Sequence, residues 1–131
     1  MVQVRKYSGW EDDVVALVPH ETYIKLPAFK GIEFWGNSSC LAMFIPPQTP
    51  EGRWEAHWNT RPGCSGIEAF KTLKKCLAEF FKKHYNETVF GLTPLEKKSA
   101  LKMARLLGFT PIGFTTYEGK PQLLSYLQGE K

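Results

Sequence analysis

Hydrophobic positions along the chain follow two periods, and the switches between them mark its elements. Arg53-Trp54-Glu55-Ala56-His57-Trp58-Asn59 alternates, with Trp54, Ala56 and Trp58 on one face and Glu55, His57 and Asn59 on the other, as in a half-buried strand. Thr60-Arg61-Pro62-Gly63-Cys64-Ser65-Gly66 breaks the alternation, because Pro62 lacks a backbone donor while Gly63 and Gly66 admit conformations closed to other residues. The period then becomes helical. Ile67, Phe70, Leu73, Leu77, Phe80 and Phe81 recur at helix spacing and are expected on the packed side, leaving Lys71, Lys74, Lys75, Lys82 and Lys83 to water. Asn86 closes the helix, and Thr88-Val89-Phe90-Gly91-Leu92 reads as a buried strand. Arg53 to Leu92 is thus a strand, helix, strand unit.

The flanking sequence supplies the remaining elements. Val2 to Tyr7 alternates like a strand, and Ser8-Gly9 ends it before a short helix from Trp10 to Val18 that opens on acids suited to a positive helix terminus. Pro19 to Lys30 carries no readable period. Gly31 to Trp35 and Cys40 to Ile45 flank Gly36-Asn37-Ser38-Ser39, the turn chemistry of an antiparallel hairpin, and the second strand is apolar on both faces, hence central. Pro46 to Gly52 can only be a loop. Thr93-Pro94-Leu95-Glu96 has the form of an N-cap, a first-turn proline and a first-turn acid, which predicts a helix from there to Leu107. Leu95, Ala100, Met103, Ala104 and Leu107 would form its packed side, Gly108 its terminator, and Phe109 the return to the core. Ile112–Tyr117 and Leu123–Leu127 predict a closing hairpin around Glu118-Gly119-Lys120-Pro121. The sum is a single mixed α/β domain over residues 1–131.

Composition narrows function less than fold. In 131 residues, 43% hydrophobic and 14% aromatic side chains can close a core without metal or disulfide support. Cys40, Cys64 and Cys76 are odd in number and lack zinc-knuckle spacing, which fits a reducing compartment. His20 and His84 make no ligand cluster with Cys40 or Cys76, so no metal is expected. The net charge of +4 favours anionic partners, but acids such as Glu11-Asp12-Asp13 and Glu68 are interspersed, and the aromatics recur at core spacing. Nucleic acid is disfavoured on both counts. With no signal-peptide core after Met1 and no run of membrane-spanning length, the expectation is a soluble, cytoplasmic protein with no membrane partner.

From Gly31 onward, the order of elements resembles the GNAT superfamily, the acyl-coenzyme A dependent N-acetyltransferases. The residues carrying the resemblance are the turn Thr60–Gly66 heading the long helix, and Ala100-Leu101-Lys102-Met103-Ala104-Arg105-Leu106-Leu107-Gly108-Phe109 with its terminal Gly-Phe. Trp54-Glu55-Ala56-His57-Trp58 and Thr93-Pro94 are similar to compact bacteriophage-encoded members. The resemblance implies a central twisted sheet, mixed but mostly antiparallel, flanked by helices. It also implies acetyl-CoA as cosubstrate and an amine acceptor, small molecule or protein, in the cytoplasm, that of a host if the chain is phage-encoded.

On this resemblance Thr60, Arg61, Gly63, Cys64, Ser65 and Gly66 become cofactor-binding, and Lys97 falls where relatives often carry a cofactor-contacting asparagine. The physics of the turn agrees, since unpaired amides at a helix start, reinforced by its dipole, hold a diphosphate, and small residues let it come close. The family pattern of Arg or Gln, two residues, Gly, one residue, then Gly or Ala fits in two registers. Gly63 as the first glycine puts Thr60 in the lead and Ser65 last; leading with Arg61 aligns Gly66 with the last position but puts Cys64 at the first glycine. Family catalysis calls for a base, and Glu55 and His57, two apart on one strand face, are the candidates. Ala104 stands where many relatives carry a tyrosine acid, leaving Tyr117 or Tyr126 as substitutes. Cys64 at a helix start invites a nucleophilic role, but no base adjoins it in sequence and a small turn residue is expected. The leading expectation is an N-acetyltransferase. The alternative, favoured by the missing tyrosine, is a non-catalytic interaction protein of this fold with a protein partner in phage head or virion assembly.

Overall fold

The computed structural model describes residues 2–129. Its elements are β1 (Arg5–Tyr7), α1 (Asp12–Leu17), α2 (His20–Tyr23), a 3-10 turn (Leu26–Ala28), β2 (Glu33–Gly36), β3 (Cys40–Ile45), β4 (Trp54–Thr60), α3 (Gly66–Lys83), β5 (Thr88–Pro94), α4 (Lys98–Leu106), β6 (Thr110–Tyr117) and β7 (Lys120–Gln128). The seven strands form one sheet in the order β1-β2-β3-β4-β5-β7-β6. Every neighbouring pair is antiparallel except β4 and β5, which α3 joins as a parallel crossover. This is the mixed, mostly antiparallel sheet flanked by helices that the sequence leads one to expect.

β3 is buried at all six positions because both faces of the sheet are covered there. Cys40, Ala42 and Phe44 pack with Trp54, Ala56 and the α3 side chains Leu73, Cys76, Leu77 and Phe80. Phe80 stacks on Phe44 at 4.3 Å between ring centroids and meets Trp54 edge-on at 4.9 Å, so one aromatic side chain clamps α3 to two strands. Leu41, Met43 and Ile45 point the other way, into a second core with Val14, Leu17 and Val18 around α1. That second layer covers β1 to β3 and stops short of β4. The consequence is that Glu55 and His57, on the same face, stay half-exposed.

Two expectations fail for instructive reasons. Thr93-Pro94 does not cap a helix: both residues end β5, paired with Leu123 and Gln122 of β7, and α4 begins only at Lys98, so Leu95 lies outside it. Proline is tolerated there because the Leu95 N–H donates to Pro121 O, so strand alternation turns Pro94's missing donor away from β7. Ile67 is 71% exposed although its spacing fits the packed side of α3. The first turn of α3 has no sheet beneath it, and burial starts at Ala69. Elsewhere the punctuation reads as expected, with Gly108 at φ +99° closing α4 and Phe109 buried beyond it. The last hairpin turns through Glu118 and Gly119, at φ +51° and +75°.

Candidate functional site

β4 and β5 run seven residues each but pair only at Trp54–Val89 and Glu55–Phe90. Their outer edges are held far longer, β4 to β3 from Glu55 to Thr60 and β5 to β7 from Thr88 to Pro94. Two strands anchored to different neighbours therefore part at Ala56 and Gly91, leaving a wedge in the middle of the sheet. Arg61 N–H donates to Ser39 O, and the β3–β4 register is unbroken, so alternation turns the main-chain groups of Ala56, Trp58 and Thr60 toward β5. Past Ala56 those groups face the gap instead of a partner strand.

The wide end of the wedge is floored by the turn into α3. Ser65 caps that helix, its Oγ accepting from Glu68 N–H at 3.1 Å, and Cys64 N–H is spent on Arg61 O. The N–H groups of Gly63, Ser65, Gly66 and Ile67 have no partner among the described residues. Gly63 adopts φ +89°, a conformation that needs glycine. A Cβ placed on Gly63 or Gly66 would meet nothing within 4 Å, so the space before these amides is open to a bulky anion. The two sequence registers of this turn converge on one set of free donors, contributed by both glycines.

The other expected cofactor contacts are placed as follows. Thr60 is exposed at the end of β4, and Lys97 is exposed ahead of α4 with its N–H on Pro94 O. Arg61 is not free to meet a ligand as it stands: its Nε donates to Ser38 O and its second terminal nitrogen to Asp13 Oδ1 at 3.1 Å. It fastens the turn to the β2–β3 hairpin and to α1. Burial, then the nearby charge of Glu68, pushes the Cys64 thiol up in pKa, opposite to what a reactive thiolate needs.

Behind the wedge, on the face away from α3, lies a hollow of about 20 Å³, the space of one water-sized group. Arg53, Glu55, His57, Phe90, Leu92 and Leu124 line it. Glu55 Oε2 and His57 Nε2 are 4.0 Å apart. The nearby His57 outweighs burial and, with the charge of Arg53, holds the Glu55 carboxyl below its usual pKa. Arg53 lays its guanidinium over the Phe90 ring, 4.3 Å from the centroid. Sequence reasoning missed Arg53 as a site residue, although alternation had already set it on the face of Glu55 and His57.

Ala104 is buried in the α3–α4 core at 5% exposure and offers no proton. Of the two tyrosines held as substitutes, Tyr126 pairs with Phe90 across β5–β7, on the hollow's face, whereas Tyr117 is exposed near the tip of the last hairpin. Among the described residues no group of three or more His, Cys, Asp or Glu side chains could hold a metal ion, and no helix is long and apolar enough to cross a membrane.

No protein-family model matches this sequence, and no curated protein matches it significantly. Solved structures do match. A Bacillus subtilis acetyltransferase in complex with CoA superposes with a TM-score of 0.74 at 12% identity, over 98% of this chain and 99% of that one. A Bordetella pertussis protein provisionally named as a GNAT-family acetyltransferase gives a TM-score of 0.64 at 18% identity, over 89% and 81%. A provisionally named Salmonella typhimurium acetyltransferase with its cofactor acetyl-CoA gives 0.65 at 14% identity, over 85% and 73%. At these identities the likeness establishes the fold, which is that of the GNAT acetyltransferases.

Proposed function

We propose that this chain is an N-acetyltransferase that takes acetyl-CoA as cosubstrate and passes the acetyl group to an amine. The observation that carries the reading is the wedge that opens after two β4–β5 pairs, with four unspent amides at its wide end. Gly63, Ser65, Gly66 and Ile67 would hold the diphosphate through their N–H groups at the positive end of α3, with Thr60 at the end of β4 and Lys97 ahead of α4 as further candidate contacts and Cys64 as a small turn residue. Arg61 would keep the turn in place through Ser38 and Asp13. The β4 edge at Trp58 and Thr60 suits an extended, amide-bearing chain added as a strand would be. Structures of the same fold with CoA and acetyl-CoA support this choice of ligand.

Acetyl-CoA would supply the acyl group as a thioester, and a thiolate leaves more readily than an alkoxide because thiols are the stronger acids, so the sulfur can depart as thiolate and take its proton from water afterwards. Glu55 and His57 do the other half of the work. An amine reaches neutrality by giving up a proton, and the Glu55–His57 pair stands in the hollow where such an amine would sit. Isothermal titration with acetyl-CoA is the first test. Binding with a dissociation constant at or below the millimolar range is expected, and no heat at millimolar ligand removes the reading.

Ala104 favours a second reading, an interaction or virion-assembly protein that keeps the fold without the chemistry. It predicts no acetyl transfer to any amine even when CoA binds.

A further inference from the structure

The charges around the hollow go further than the word amine. Glu55 and His57 come from β4, and the β5 and β7 residues that line the hollow, Phe90, Gly91, Leu92 and Leu124, carry no charge. The remaining charged group is Arg53. It lines the same hollow, with its guanidinium flat on Phe90, and no carboxylate among the described residues lies within ion-pair distance of it. Two other arginines are already spent on carboxylates, Arg5 on Glu11 and Arg61 on Asp13. A stacked guanidinium is held in orientation while its N–H fork stays available, the arrangement that recognises a carboxylate in two places at once.

From this we infer that the acceptor is an amine that also bears a carboxylate, an amino acid with an apolar side chain, bound between Glu55–His57 and Arg53. The inference rests on the acyltransferase reading and deepens it. The hollow, with room for one water-sized group, matches an ammonium group, the guanidinium stands for the carboxylate, and Leu92 and Leu124 offer apolar surface beside it. A plain alkylamine would leave the N–H fork of Arg53 unused, and a polyamine would bring a second cation toward it.

The test compares acetylation of L-leucine, L-leucinamide and isoamylamine by the wild-type chain and by Arg53→Met, read as kcat/KM. The amide is the more readily deprotonated amine, so intrinsic reactivity favours it over the acid. A wild-type preference of about tenfold or more for leucine over both, collapsing toward unity in Arg53→Met, is the expected result. Arg53→Lys should keep part of the preference, since it retains the charge without the fork. Acetylation of all three with no preference for the acid, or a preference unchanged in Arg53→Met, overturns this inference and leaves the acyltransferase standing. No acetylation of any amine overturns both.

Discussion

Asp13 and Arg61, 48 positions apart in sequence, meet at 3.1 Å, and through them α1 holds the turn that starts α3. Asp13 also accepts from Tyr7 Oη at 2.9 Å, so β1, α1 and the proposed diphosphate turn share one carboxylate. Both partners are partly exposed, which limits the pair itself to roughly 0.2–1 kcal/mol of stability. Its larger effect should be on ligand binding, because a turn that is already ordered does not have to be ordered by the ligand.

Asp13→Ala therefore sets two effects against each other. Removing a negative charge near an anion site would tighten acetyl-CoA binding by simple electrostatics, whereas releasing the turn would weaken it. We expect weakening, by about three- to tenfold, with a stability loss near 1 kcal/mol in urea denaturation. Tighter binding in the variant would show that the tether does not organise the turn.

Gly66→Asp should move stability and binding in opposite directions. Gly66 is the first residue of α3, a Cβ there meets nothing within 4 Å, and its φ is not in the left-handed region, so an aspartate fits without strain. Its charge complements the helix dipole and should add roughly 0.3–1 kcal/mol to stability. The same charge would stand before the proposed diphosphate and should raise the acetyl-CoA dissociation constant more than tenfold by calorimetry. Undiminished affinity would place the anion somewhere else.

What could be read from the chain, and what could not, follows from how far apart the deciding residues lie. β3 is legible because six consecutive apolar residues admit few alternatives, and Gly108-Phe109 because a helix stop is local chemistry. Thr93-Pro94 has the chemistry of a cap, and only its pairing with Gln122 and Leu123, some thirty residues on, decides for a strand. Ile67 fits the helical period, which cannot say where the supporting sheet ends. For the site, the free amides and the Glu55–His57 face follow from local pattern. The wedge does not, because it arises from β4 and β5 being anchored to different strands. The grip of Asp13 on Arg61 has no local signal at all.

His84 is another residue whose role depends on distance in sequence. Weighed in the sequence only as a metal ligand, it lies in the structure with Nε2 2.7 Å from Glu33 Oε2, while its ring packs on Trp54 and Phe80. Glu33 is buried, and burial alone would raise its pKa. Hydrogen bonds from His84 and Trp35, with the charges of His84 and Lys83, outweigh burial and hold it below the usual value. A depressed folded-state pKa means that the stabilisation is present above the unfolded value of about 4.3 and is lost as pH falls through the folded value. Glu33→Gln should cost about 1–3 kcal/mol at pH 7 and flatten the decline in stability below about pH 4.3. An acid limb identical to the wild type's in denaturation curves would assign that limb to other carboxylates.

The proton-accepting role of Glu55 and His57 can be separated from a packing role by kinetics. Both side chains are half-exposed, so Glu55→Gln and His57→Gln should leave the denaturation midpoint nearly unchanged. If the pair takes the acceptor's proton, each variant should lower kcat by about 10²–10⁴, with acetyl-CoA binding unaltered. Residues that act as one unit do not add, so the double variant should be little slower than the slower single one. Additive losses would mean independent roles. Turnover at the wild-type rate in both single variants would move the base outside the hollow's lining, and Tyr126, whose ring lies 6.2 Å from that of Phe90, is a titratable group on that face of the sheet.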